Sequence, residues 1–60
     1  MLRLAANKVV IDGERFTNHV VELVDGLLVC HYPLTYELPQ TQWLRTLVIE
    51  EGMVVYSEHC

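Results

Sequence analysis

The sequence predicts an all-β domain: about five antiparallel strands in two hairpin units, forming a small sandwich or open barrel. Three observations lead there. Asp12-Gly13 and Asp25-Gly26 each sit between apolar, β-branched runs, and Asp-Gly in that setting is a strong signal for a two-residue hairpin turn. Hydrophobic residues make up 52% of the chain but aromatics only 8%, so the apolar content is aliphatic and suits strands. Finally, no helical spacing longer than one turn can be read between the two prolines and the strand that follows them.

The 60 residues make one domain, 1–60. The first strand runs from about Leu2 to Ile11 and is strongest at Val9-Val10-Ile11. The Asp12-Gly13 turn then sets Ile11 opposite Glu14, Val10 opposite Arg15 and Val9 opposite Phe16. The second strand runs from about Arg15 to Val24. Across Asp25-Gly26, Val24 is expected to face Leu27, Leu23 to face Leu28, Glu22 to face Val29, Val21 to face Cys30, Val20 to face His31 and His19 to face Tyr32. Side chains alternate along a strand. One face therefore carries Val21, Leu23, Leu28 and Cys30; the other carries Val20, Val24, Leu27 and Val29 with Glu22 and His31. Both faces are apolar, and both want cover.

Pro33 ends the third strand, because proline cannot donate to a ladder. Leu34 to Leu44 is the one long connection, with a helical turn expected at most over Pro39–Leu44. Trp43 is read as a lid over one end of the core. The last hairpin turns at Glu51-Gly52, with Ile49 opposite Val54, Leu47 opposite Tyr56 and Arg45 opposite Glu58. The recurrence of Asp-Gly is read as a turn requirement and not as an internal repeat.

Eight acidic residues against four Lys+Arg give a formal charge of −4. With no basic cluster to offset it, no nucleic-acid partner is expected. No apolar run approaches a membrane span and Met1–Lys8 has no apolar signal core, so the expectation is a cytoplasmic protein with no membrane partner. Two cysteines, Cys30 and Cys60, make no disulfide framework and read as thiols in a reducing compartment.

Few residues carry candidate chemistry. Cys30-His31 and His59-Cys60 are zinc-type ligands, but adjacent strand residues point to opposite faces. No metal or cofactor is therefore expected. Glu22 and His31 are diagonal neighbours in the hairpin register and read as a hydrogen-bonded polar island, not an acid–base pair. His19 beside Tyr32 reads as packing with a satisfied ring nitrogen. Ser57, Thr35, Thr41 and Thr46 have no base to activate them. No catalytic residue is assigned, and the chain is not expected to be an enzyme.

The run Ala5-Ala6-Asn7-Lys8-Val9-Val10-Ile11-Asp12-Gly13, followed by Asn18-His19-Val20-Val21-Glu22-Leu23-Val24-Asp25-Gly26-Leu27-Leu28-Val29, resembles the opening β-hairpins of the amidohydrolase (metal-dependent hydrolase) superfamily. There they build a small β-sandwich beside a catalytic barrel. About half of the chain is covered. No His-x-His motif and no barrel accompany it, so the family's metal ligands map to no residue here. The resemblance implies an accessory β-domain, not hydrolase activity. Two functions follow as expectations. The first is a non-catalytic, self-associating structural or interaction module, most simply a homodimer. The second is an accessory or ligand-binding domain serving a metal-dependent hydrolase partner.

Overall fold

A computed structural model describes residues 1–35 and 41–59. Five strands follow one another: β1 (Leu2–Ile11), β2 (Glu14–Val24), β3 (Leu27–Pro33), β4 (Gln42–Glu50) and β5 (Met53–His59). They form one sheet, ordered β3-β2-β1-β4-β5. The all-β class stands, and no helix is found among the described residues. The two hairpin units are not separate layers: β1 pairs in parallel with β4 and joins them into a single sheet. That pairing links strands about 40 residues apart, and no turn signal announces it. The expected helical turn over Pro39–Leu44 gives way to strand from Gln42, while Pro39 and Gln40 lie outside the described residues.

The three turns form as their residues require. Asp12, Asp25 and Glu51 have φ of 49°, 53° and 52°, and the glycine after each is also left-handed. This double positive φ is the type I′ geometry that matches strand twist. The β1–β2 register is the expected one, including Val9 opposite Phe16.

Beyond the turns, the outer hairpins depart from simple pairing. Leu23 faces Leu28, but Glu22 faces Cys30, Val21 faces His31, Val20 faces Tyr32 and His19 faces Pro33. Val29 is an extra residue, a β-bulge, and every later partner moves by one. A one-residue slip turns side chains to the other face. Cys30 therefore leaves the core and is exposed. The last hairpin does the same. Ile49 faces Val54, but Val48 faces Tyr56, Leu47 faces Ser57 and Thr46 faces Glu58, with Val55 as the extra residue. The expected pairs Leu47–Tyr56 and Arg45–Glu58 do not form.

These two bulged hairpins are copies in register. An offset of 26 residues (Gly26 onto Gly52) carries the ladder from Val24↔Leu27 to Val20↔Tyr32 onto that from Glu50↔Met53 to Thr46↔Glu58. The central strand obeys the same symmetry when reversed about Ala6 and Asn7. Leu4↔Val21 becomes Val9↔Leu47, and Leu2↔Leu23 becomes Ile11↔Ile49. The sheet thus has a pseudo-two-fold axis through the middle of β1. The repeat relates the Asp25-Gly26 turn to the Glu51-Gly52 turn, while Asp12-Gly13, the other Asp-Gly pair, has no counterpart in it.

That axis accounts for the core. Leu4, Ala6, Val9, Val21, Leu23, Leu44, Leu47 and Ile49 form one buried cluster, with Ile11, Phe16 and Leu28 packed against it. Core positions in β1 step by three from Ala6 to Val9, and in β4 from Leu44 to Leu47, so plain alternation breaks at the axis. In β2 the break coincides with Asn18, whose φ is 49°. On the opposite face, the cross-strand row Trp43–Ala5–Val20–Tyr32 leaves Ala5 and Val20 fully buried between two aromatics. Val20, expected to lie on an apolar face that the five strands leave without cover, is on that face but buried within the sheet. Trp43 is about half-exposed within β4 and does not close the end of the core.

The sheet curls but does not close. Leu28 N donates to Gly52 O at 2.8 Å, so the two edge strands touch where each begins. β3 and β5 point in opposite directions and separate from there. A second clasp ties the Asp12-Gly13 turn to the end of the last hairpin: Asp12 N donates to Ile49 O at 2.9 Å, and Glu51 N donates to Asp12 Oδ1 at 2.9 Å.

Candidate functional site

Two polar clusters lie on opposite faces of β2 and β3. The bulge separates them, because it sends Cys30 and Tyr32 to the side of Glu22 and leaves His31 on the side of His19 and Phe16. Glu22 and His31, expected as diagonal neighbours, therefore do not meet.

On the Glu22 face, the Tyr32 hydroxyl donates to Oε2 at 2.5 Å, the Cys30 thiol donates to Oε1 at 3.5 Å, and Arg3 Nε lies 3.4 Å from Oε2. The Tyr32 bond holds the carboxyl below its ordinary value against the opposing effect of burial, with the Cys30 bond and the Arg3 charge adding to it. The partners respond in the complementary sense. Tyr32 is pushed up chiefly by its bond to Glu22, and Cys30 by loss of hydration and then by the same carboxylate. A raised thiol is a poor nucleophile. In this cluster the Glu22 carboxylate is held by Tyr32, Cys30 and Arg3, and the shifts of Glu22, Tyr32 and Cys30 all run away from neutral pH.

The other face carries the histidines. His19 is buried, and its Nε2 lies 2.9 Å from His31 Nδ1, so one ring donates and the other accepts. Phe16 stacks on His19 with centroids 4.3 Å apart and planes 22° from parallel, and tilts against His31 at 5.3 Å. His19 has the satisfied ring nitrogen expected of it, but from His31 and not beside Tyr32. Arg15, Phe16, Thr17, His19, His31 and Pro33, with Tyr32 at one end, line an open groove of about 530 Å³. No acidic side chain lines it among the described residues. The bulge that brings His31 under His19 carries no signal in the sequence beyond the β-branched Val29.

Burial, and then the charge of His31, lower the His19 pKa. The sign follows directly. The folded chain holds neutral His19 better than the unfolded chain does, so this contribution is complete above about pH 6.5 and is lost as pH falls through the folded value. Glu22, also lowered, contributes above its usual 4.5 and loses that contribution further into acid. Two acid steps are expected in the urea midpoint, one starting near pH 6.5 and one below 4.5. His19→Leu removes the upper step and leaves the lower. A wild-type midpoint that is level from pH 7.5 to 5.5 would refute this.

Among the described residues, no three His, Cys, Asp or Glu side chains converge on a point that could hold a metal ion. Cys60, half of one zinc-type pair considered above, lies outside them. No helix of the described residues is long and apolar enough to cross a membrane. No protein-family model, curated protein or solved structure matches the chain.

Proposed function

We propose that this chain is a non-catalytic β module that acts by self-association, most simply as a two-fold dimer. One observation carries the reading: an exposed apolar patch at the seam where the edge strands touch. Leu27 and Val29 flank Leu28, and Met53 follows the Gly52 to which Leu28 is bonded. All three are at least half exposed, as is the bulge residue Val55, and Val24 adds to them across the turn. Neither hairpin builds this patch alone. A monomer gains nothing by exposing it, and burying such side chains stabilises by roughly 1.5–3 kcal/mol each.

A stable dimer buries roughly 800 Å² per partner, about a fifth of this chain's 4101 Å² surface. The patch is apolar at its centre, with Asp25, Glu50 and Glu51 at its rim. Two copies bring these acids near one another, so association strengthens as salt screens them.

Light scattering tests the reading. The wild type at tens of micromolar is expected at twice the monomer mass, and Val29→Lys at the monomer mass with an unchanged β spectrum. A charge on that half-exposed bulge is harmless in a monomer and costly in a buried contact. A monomeric wild type, or a Val29→Lys variant that remains a dimer, overturns the proposal. Recovery of a metal-dependent hydrolase in stoichiometric amount with the native protein would favour the accessory role instead.

A further inference from the structure

The groove beside the two histidines has a counterpart across the pseudo-two-fold axis, and the comparison is informative. Phe16, opposite Val9, corresponds to Gln42, opposite Leu4. His31, opposite Val21, corresponds to Ser57, opposite Leu47. At these two positions the repeat carries a glutamine and a serine, so the register alone calls for neither an aromatic ring nor a histidine there. The fold does not require Phe16 or His31 at these places.

We propose that this groove binds a small, flat aromatic anion, a carboxylate or phosphate ester carried on one ring. Three features select that class. Its basic groups are Arg15, His19 and His31, in a chain whose formal charge is −4. An anion finds there a groove whose lining holds the Arg15 guanidinium and two imidazoles and no carboxylate. Arg15 offers the planar fork that meets a carboxylate or phosphate with two parallel bonds. Phe16 lies flat on His19, and with Pro33 it gives the groove apolar walls suited to a ring stacked or set edge-on. The groove, of about 530 Å³, has room for one ring and its anionic group.

The hydrogen bond between the histidines orders the site before a ligand arrives. Its partners are locked by each other and by the Phe16 stack, so binding costs little side-chain ordering. With His19 Nε2 donating to His31 Nδ1, His31 carries its proton on Nε2, outside that bond and able to donate to an anion. Tyr32 is spent on Glu22 at the opposite face and plays no part through its hydroxyl.

Nuclear magnetic resonance titration of the whole chain tests this, with four probes: benzoate, phenyl phosphate, inorganic phosphate and benzyl alcohol. Benzoate and phenyl phosphate are expected to give saturating shifts confined to Arg15–His19 and His31–Pro33. Inorganic phosphate and benzyl alcohol are each expected to bind at least about tenfold more weakly, since each lacks one of the two contacts. His31→Ser, the residue its counterpart position carries, and Arg15→Gln, on an exposed strand position, are each expected to weaken the aromatic anions by about tenfold. Arg15→Gln keeps the test valid even if the histidine variant unfolds. The proposal is overturned if neither aromatic anion saturates by about 10 mM, if benzyl alcohol or inorganic phosphate binds as well as they do, or if folded Arg15→Gln binds like the wild type.

Discussion

Leu47→Ala is expected to remove most of the protein's stability at room temperature. Leu47 has no exposed surface and sits in β4 between Val9 of β1 and Ser57 of β5. Removing a buried leucine's methyl groups costs roughly 2–5 kcal/mol, the upper end applying where the surroundings cannot collapse into the space. Here they cannot collapse freely, because the neighbouring core residues are held by ladders on both sides of β4. A domain this short has a net stability near the low end of the usual range, about 5 kcal/mol. One substitution therefore removes most of it. Val21, the counterpart of Leu47 across the pseudo-two-fold axis, is equally buried. Val21→Ala removes one carbon fewer and is expected to cost less, while Leu27→Ala on the surface changes the monomer's stability by no more than about 0.5 kcal/mol. Urea midpoints rank the three. A Leu47→Ala midpoint equal to that of Leu27→Ala would mean that the core does not lie where the packing puts it.

The parts of this fold legible in the sequence are those set by neighbours along the chain. Asp12-Gly13, Asp25-Gly26 and Glu51-Gly52 fix their own φ, so the turns and the first two ladder pairs of each hairpin follow from composition. Registers fail at Val29 and Val55. Each is a valine in an apolar run, and nothing local marks either as the one left out of the ladder. Yet the failure is correlated. Val29 and Val55 are separated by the same 26 residues as Gly26 and Gly52. A comparison of the two hairpins at that offset, Val20–Val29 against Thr46–Val55, would have exposed the repeat and with it the shared bulge.

The same reason explains what was missed at the candidate site. With Val29 counted into the ladder, His31 falls on the Glu22 face and Cys30 in the core; with Val29 left out, both move. His19 and His31 become partners only through that slip. Long-range pairing was also invisible: β1 and β4 meet through core side chains that step by three, Ala6 to Val9 and Leu44 to Leu47. That spacing looks like noise in a strand and makes sense only once three strands are seen to change face together. Val20, expected in the apolar face left without cover by the five strands, is instead buried in the aromatic row Trp43–Ala5–Val20–Tyr32.

Gly26→Val is expected to destabilise the fold by about 2 kcal/mol, and Gly52→Val by nearly the same amount. No atom lies within 4 Å of a Cβ built at either glycine, so neither substitution meets a clash with the rest of the chain. The cost is in the backbone itself. Gly26 and Gly52 have φ of 79° and 77°, where an L side chain is disfavoured by about 1–2 kcal/mol and a β-branched one by more. Valine also narrows the unfolded ensemble, which returns part of that penalty. In a chain of this length a loss of 2 kcal/mol lowers the melting temperature by about 8–16 °C. Asparagine tolerates the left-handed region, so Gly26→Asn is expected to cost less than about 1 kcal/mol. The match between the two valine variants follows from the repeat: both glycines close the same turn, two pairs ahead of the same bulge. Equal melting temperatures for Gly26→Val and the wild type would refute the turn geometry. A Gly52→Val loss less than half that of Gly26→Val would refute the equivalence of the hairpins.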